Sequence, residues 1–137
     1  MAEGIMRLKI EQYELAATVD SAGTSNYHEG EHPDKRSILN GKKHNVDISQ
    51  LVSRPFTTAD FDQFDVIYAM DSENMKNIIR LARNETDKAK VKLILNEIYP
   101  ATNKAVPDPY FGGEGGFENV FNLLDEACEV IAKKIKQ

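Results

Sequence analysis

The sequence predicts an α/β fold in three layers, a parallel sheet flanked by helices, and two observations predict it. Phe64 to Met70, "FDVIYAM", is a near-continuous apolar run that passes at Asp71-Ser72 into a helical pattern, the signature of a strand covered on both faces and followed by a helix. Val91 to Ile98, "VKLILNEI", reads as a further strand, and Phe117 to Lys136 follows as a long amphipathic helix. Strands alternating with helices favour a parallel sheet with helices packed on its faces.

The elements follow in order. Ala2 to Tyr13 reads as a helix with a ragged stripe of Ile5, Met6, Leu8 and Ile10, and Leu15 to Val19 as a short strand. Gly23 and its neighbouring hydroxyls make Ser21 to Ser25 a loop, which continues through Gly30. Pro33 suits the first turn of a helix running to about Asn40 with Gly41 as its stop, and Thr57 or Thr58 caps a short turn from Ala59 to Phe61. Ser72 opens a helix to about Arg83. The last helix places Val120, Leu124, Ala127, Ile131 and Ile135 on one side.

With 137 residues and no linker-like stretch, residues 1–137 read as a single domain. A hydrophobic fraction of 41% beside 28% charged residues is that of a chain that folds in water. No apolar run approaches the length of a membrane span, and "MAEG" lacks the basic start and apolar run of a signal peptide. No membrane partner and a cytoplasmic location are therefore expected. A net charge of -5 and the absence of a basic stripe argue against nucleic acid.

Candidate chemistry is sparse. Cys128, the single cysteine, falls between Leu124 and Ile131 on the apolar face of the last helix and reads as core packing. His28 and His32 have helical ligand spacing, but Gly30 and Pro33 break the helix and no third ligand is near, so no metal site is expected. His44 reads as a solvated turn. "GGEGG", Gly112 to Gly116, lacks the Lys-Ser/Thr of a phosphate-binding loop and reads as a flexible loop tip. "VPDPYFGG" holds Asp108 between Pro107 and Pro109, which keep it extended, and places Tyr110 and Phe111 beside it. Asp108 is then either a turn cap or a general acid at the mouth of a site for a ring-bearing ligand.

"MAEGIMR", "VDSAGTSNYHEGEHPDKRS", "SRPFTTADFDQFDVIYAMDSENMKNI" and "VPDPYFGG", in this order, resemble the low-molecular-weight protein tyrosine phosphatases over almost the whole chain. The resemblance implies a four-stranded parallel sheet and hydrolysis of phosphotyrosine, in a protein or a small aryl phosphate, through a cysteinyl-phosphate intermediate without metal or cofactor. It makes Asp108 the general acid. Tyr110 and Phe111 become one wall of an aromatic substrate cleft, and Tyr27 the opposing wall. Ser21 becomes a support of the phosphate loop, and Asp71 a structural residue opening a helix. Gln50 stands where many bacterial relatives have a histidine, and it cannot become a cation.

In the family "MAEG" follows a central first strand and a catalytic loop, Cys-five residues-Arg-Ser-Pro. That nucleophile and that arginine are not among these residues, so the sequence is expected to be amino-terminally truncated relative to the family and inactive as it stands. The alternative is a pseudo-phosphatase that binds through the aromatic cleft. Arsenate reduction needs further redox cysteines and ranks below both. A missing central strand leaves two apolar strands without a shared neighbour, and either direct pairing of these two or self-association through the unpaired edges is expected, with self-association favoured.

Overall fold

The computed structural model describes residues 1–24, 30–109 and 113–137. In chain order the elements are α1 (Ala2–Gln12), α2 (Lys35–Lys43), α3 (Ala59–Gln63), β1 (Ile67–Ala69), α4 (Ser72–Arg80), α5 (Glu85–Ala89), β2 (Val91–Leu93) and α6 (Gly113–Lys136). β1 and β2 pair in parallel, Ile67 opposite Val91 and Ala69 opposite Leu93. Helices cover both faces. On one side α1 and α6 pack with Ile94 and Leu95 around Ile5, Ile48, Phe121, Leu124 and Ala127; on the other, Phe61 and Ile78 meet Ala69, Val91 and Leu93. The layered architecture expected from the alternation of strands and helices is therefore present.

Several elements are shorter than the sequence suggests. The run from Phe64 forms a ladder over Ile67–Ala69 alone, and β2 gives way after Leu93 to a 3₁₀ turn, Ile94–Glu97. That turn is held by Asn96, whose side chain accepts from the Asn103 amide at 2.9 Å and donates to the Asn103 side chain at 3.0 Å. Leu15 to Val19 is no strand among the described residues. Leu15, Ala17 and Val19 are half-buried and Ala16 and Thr18 exposed, the period of two of an extended chain, yet no ladder partner lies beside them among the described residues. The two segments have not closed up into direct pairing.

Two helices depart from expectation in an instructive way. Gly41 does not end α2: it is buried within it, where a Cβ would lie 2.5 Å from the Val46 carbonyl oxygen, and the helix ends at Lys43. The supposed loop tip is the first turn of α6, which starts at Gly113. At Gly116 a Cβ would meet the Pro109 carbonyl oxygen at 2.6 Å, so close passage of backbones, not flexibility, calls for glycine there. α4 stops at Arg80, short of the expected Arg83, which is drawn instead to Asp62 and Asp87. α5 has the Asn84 side chain as its cap, accepting from the Asp87 amide at 2.8 Å.

Candidate functional site

A cleft of about 1100 Å³ runs between the extended segment Ala16 to Thr24 and the outer edge of β1. In a parallel ladder successive residues face opposite sides. Ile67 donates to the Lys90 carbonyl at 2.9 Å, so the Tyr68 amide and carbonyl face the cleft, where no described backbone group meets them. Leu124, Cys128, Ile131 and Ile135 of α6 line one side and Phe56, Phe64 and Ile78 the other. Val66 and Ile135, 42% and 45% exposed, leave apolar surface on its walls.

The two prolines that flank Asp108 both line this cleft, as does Val106, whose amide donates to the Met70 carbonyl at 2.9 Å just past β1. That bond fixes the stem of the loop to the end of the strand, and Gly116 seats its far side against α6. Asp108 itself is exposed. Ser21 lies on the same cleft, its hydroxyl donating to Glu3 Oε1 at 2.6 Å. The structure therefore brings the Asp108 loop and Ser21 to one cavity. Tyr27, Tyr110 and Phe111 lie outside the described residues.

Asp71 is the cap of α4, accepting from the Asn74 amide at 2.7 Å. Asn74 in turn donates to Thr24 Oγ1 at 3.4 Å, which ties the loop after Ser21 to that helix. His32 directs Nδ1 at the Leu51 carbonyl, 2.9 Å away, and no cluster of potential metal ligands occurs among the described residues. His44 is not the solvated turn expected: its ring stacks on Phe121 at 3.8 Å, and Nε2 lies 2.5 Å from Glu118 Oε1. Cys128 is core as read, 2% exposed, and burial pushes its thiol up to about 12. A thiol so placed holds almost no thiolate at neutral pH and makes a poor nucleophile.

Four cleft residues carry charge that no pattern in the sequence singles out. Arg54 grips Asp60 with two nitrogens, at 2.9 and 3.1 Å, and reaches Asp20 at 3.1 Å. Its backbone closes the arrangement: Gly23 donates to the Arg54 carbonyl and Phe56 to that of Gly23, each at 2.8 Å. Glu3, 6% exposed, is held by Arg7 at 2.7 Å and by Ser21. Residues six and thirty-four apart in the chain share no periodicity, so pairing of Arg54 with Asp60 and Asp20 is not readable from spacing.

The family model for low molecular weight phosphotyrosine protein phosphatase matches residues 1–137. The chain is 38% identical over 138 residues to the Schizosaccharomyces pombe low molecular weight phosphotyrosine protein phosphatase, covering 98% of this chain and 87% of that protein. It is 33% identical over 137 residues to the human protein of the same name, covering 98% and 85%. A crystal structure of an Entamoeba histolytica protein tyrosine phosphatase with Hepes in its active site superposes with a TM-score of 0.87 at 36% identity, covering 97% of this chain and 85% of that one. The match in sequence runs through the Asp108 loop, the Ser21 segment and the strand between them, and the match in structure spans the layers that hold them together: the chain belongs to the low molecular weight phosphotyrosine protein phosphatase family.

Proposed function

We propose that this protein serves the hydrolysis of aryl phosphate monoesters, phosphotyrosine in proteins above all, with Asp108 as the acid that protonates the leaving phenolic oxygen. The observation that carries the reading is the placing of Asp108 between two prolines that line the cleft, on a loop pinned to the end of β1 by Val106 and to α6 by Gly116. Such a loop holds a carboxyl group at a fixed place at the rim of an apolar cavity, as proton delivery to a leaving group requires. Ser21 supports the phosphate-binding side through Glu3, and Tyr27, Tyr110 and Phe111 supply aromatic walls for the phenol ring.

The chemistry also needs a nucleophile to take the phosphoryl group and a cation to hold its oxygens. Residues 1–137 contain one cysteine, and it is buried in the core. A polypeptide of these residues alone is expected to turn over no aryl phosphate above background, since losing the nucleophile of a hydrolase costs on the order of 10⁶ in rate. Joining a strand and a Cys-x5-Arg loop ahead of Met1 should restore turnover. In that protein Asp108→Asn should lower the rate by roughly 10² to 10⁴ for a poor leaving group and far less for an activated one. Equal loss on both substrates would overturn the assignment of Asp108.

The second reading is a binding protein without turnover, favoured by the burial of Cys128 away from the cleft mouth, in the core under α1. Calorimetric titration of the 137-residue chain with a phosphotyrosine peptide separates the two: saturable binding without hydrolysis supports it. Self-association belongs to either reading, because the outer edge of β1 offers a neighbour backbone that has no ladder partner among the described residues.

A further inference from the structure

α2 and α6 meet through four side-chain contacts that converge on one turn. The Arg36 guanidinium lies 5.0 Å from the centre of the Phe117 ring. Asn40 Nδ2 donates to Glu118 Oε1 at 3.3 Å, and His44 Nε2 lies 2.5 Å from that same oxygen. The imidazole stacks on Phe121 with an interplanar angle of 12°. Asn40 of α2 and His44, the residue that caps its end, thus share a single carboxylate oxygen. Glu118 stands two residues after Gly116, the position seated against the Pro109 carbonyl. The turn of α6 held by His44 is the turn on which the Asp108 loop rests.

We propose that His44 and Glu118 form a protonation-dependent brace that positions the Asp108 loop. Protonated imidazole gives Glu118 a charge-assisted hydrogen bond, about twice as strong as the neutral one that remains when the ring loses its proton. Histidine is the side chain whose ordinary titration spans the physiological range. Glu118 stays ionised across it: the bond from His44, then that from Asn40 and the nearby charge of Lys43, hold its carboxyl below the usual range. The charged group facing the imidazole is Glu118 from α6, and the charge of Lys43 bears on that carboxylate. Side chains 30% and 44% exposed leave the pair open to solvent protons. Phe121 keeps the ring in place in either state, so loss of the proton loosens the tie between helices without unfolding it.

This inference rests on the reading of Asp108 as the acid only for its consequence; the brace itself is tested without turnover. In the 137-residue chain, ¹H–¹⁵N shifts of Val106, Asp108 and Phe117 are followed with the His44 imidazole between about pH 5 and 8.5. Expected is a step in all three amides at the midpoint of His44. His44→Gln should abolish that step. Glu118→Gln, which removes the charge and keeps the shape, should leave His44 titrating but silence the step at Val106 and Asp108. A step that persists in His44→Gln, or one confined to α2 and α6 in the parent chain, would overturn the proposal. Should His44→Gln fail to fold, the Glu118→Gln titration decides alone. Neither outcome depends on whether the protein hydrolyses phosphate.

Discussion

Asp60 is 4% exposed and still ionised, because the cation that faces it is held as firmly as the carboxylate. Burial pushes its carboxyl up, but the bonds from Arg54 and from the Thr57 amide at 2.9 Å outweigh burial and hold it below the usual range. A carboxylate whose folded value is depressed adds stability that is present above the unfolded value, about 3.9, and is lost as pH falls through the folded one. Arg54→Met leaves that carboxylate buried without its partner. With Arg54 34% exposed, the usual penalty for breaking a buried pair is to be discounted for solvent. A loss of about 1–3 kcal/mol by urea unfolding at neutral pH is expected. Asp60→Asn should flatten the fall in stability below about pH 4. An acid limb unchanged in Asp60→Asn would deny the pair its weight. At this scale the extended loop around Asp108 was legible because two prolines announce it, and the burial of Cys128 because it sits on an apolar stripe. Arg54, Asp60, Glu3 and His44 were not: each draws its role from a residue remote in the chain.

Among the elements, the edge of β1 sets the clearest expectation. The ladder register gives the Ala69 amide to β2 and leaves the Tyr68 amide to the cleft. In dilute solution Tyr68 should exchange its amide hydrogen about 10²-fold faster than Ala69, since only the latter must open a ladder bond. If copies of the chain associate through this edge, protection of Tyr68 rises with protein concentration together with the mass seen by light scattering. A monodisperse chain with Tyr68 protected at every concentration would dismiss both the open edge and association. Element type was legible wherever the hydrophobic period was long, as in α6. Leu15 to Val19 has the alternation of a strand but not the ladder, since a strand is defined by a neighbour as well as by its own pattern. The first turn of α6 was hidden because three glycines outweigh helical propensity on paper, whereas packing against Pro109 decides in the fold.

At the scale of the whole molecule, the layered arrangement followed from the order of elements alone, and the cleft did not, because a cavity is a property of what lies on either side of it. No described helix is long and apolar enough to cross a membrane. The 24 residues of α6 give the molecule its spine: α1 is tied to it by Lys9, which meets Asp125 at 3.0 Å and Glu129 at 3.1 Å, and α2 by the contacts of His44 and Asn40.

Among the described residues the two apolar clusters lie on opposite faces of a sheet two strands wide, each strand three residues long. So narrow a septum is a weak mechanical link between them, and cooperativity is the quantity that registers it. The layer of Phe61 and Ile78 can melt while α1 and α6 still hold their own core, a sub-global opening with a free energy below the global one. In a scanning calorimeter the total heat of unfolding should then exceed the van't Hoff enthalpy drawn from the shape of the transition, the mark of more than two states. Equality of the two would mean that three residues of ladder suffice to make the halves unfold as one.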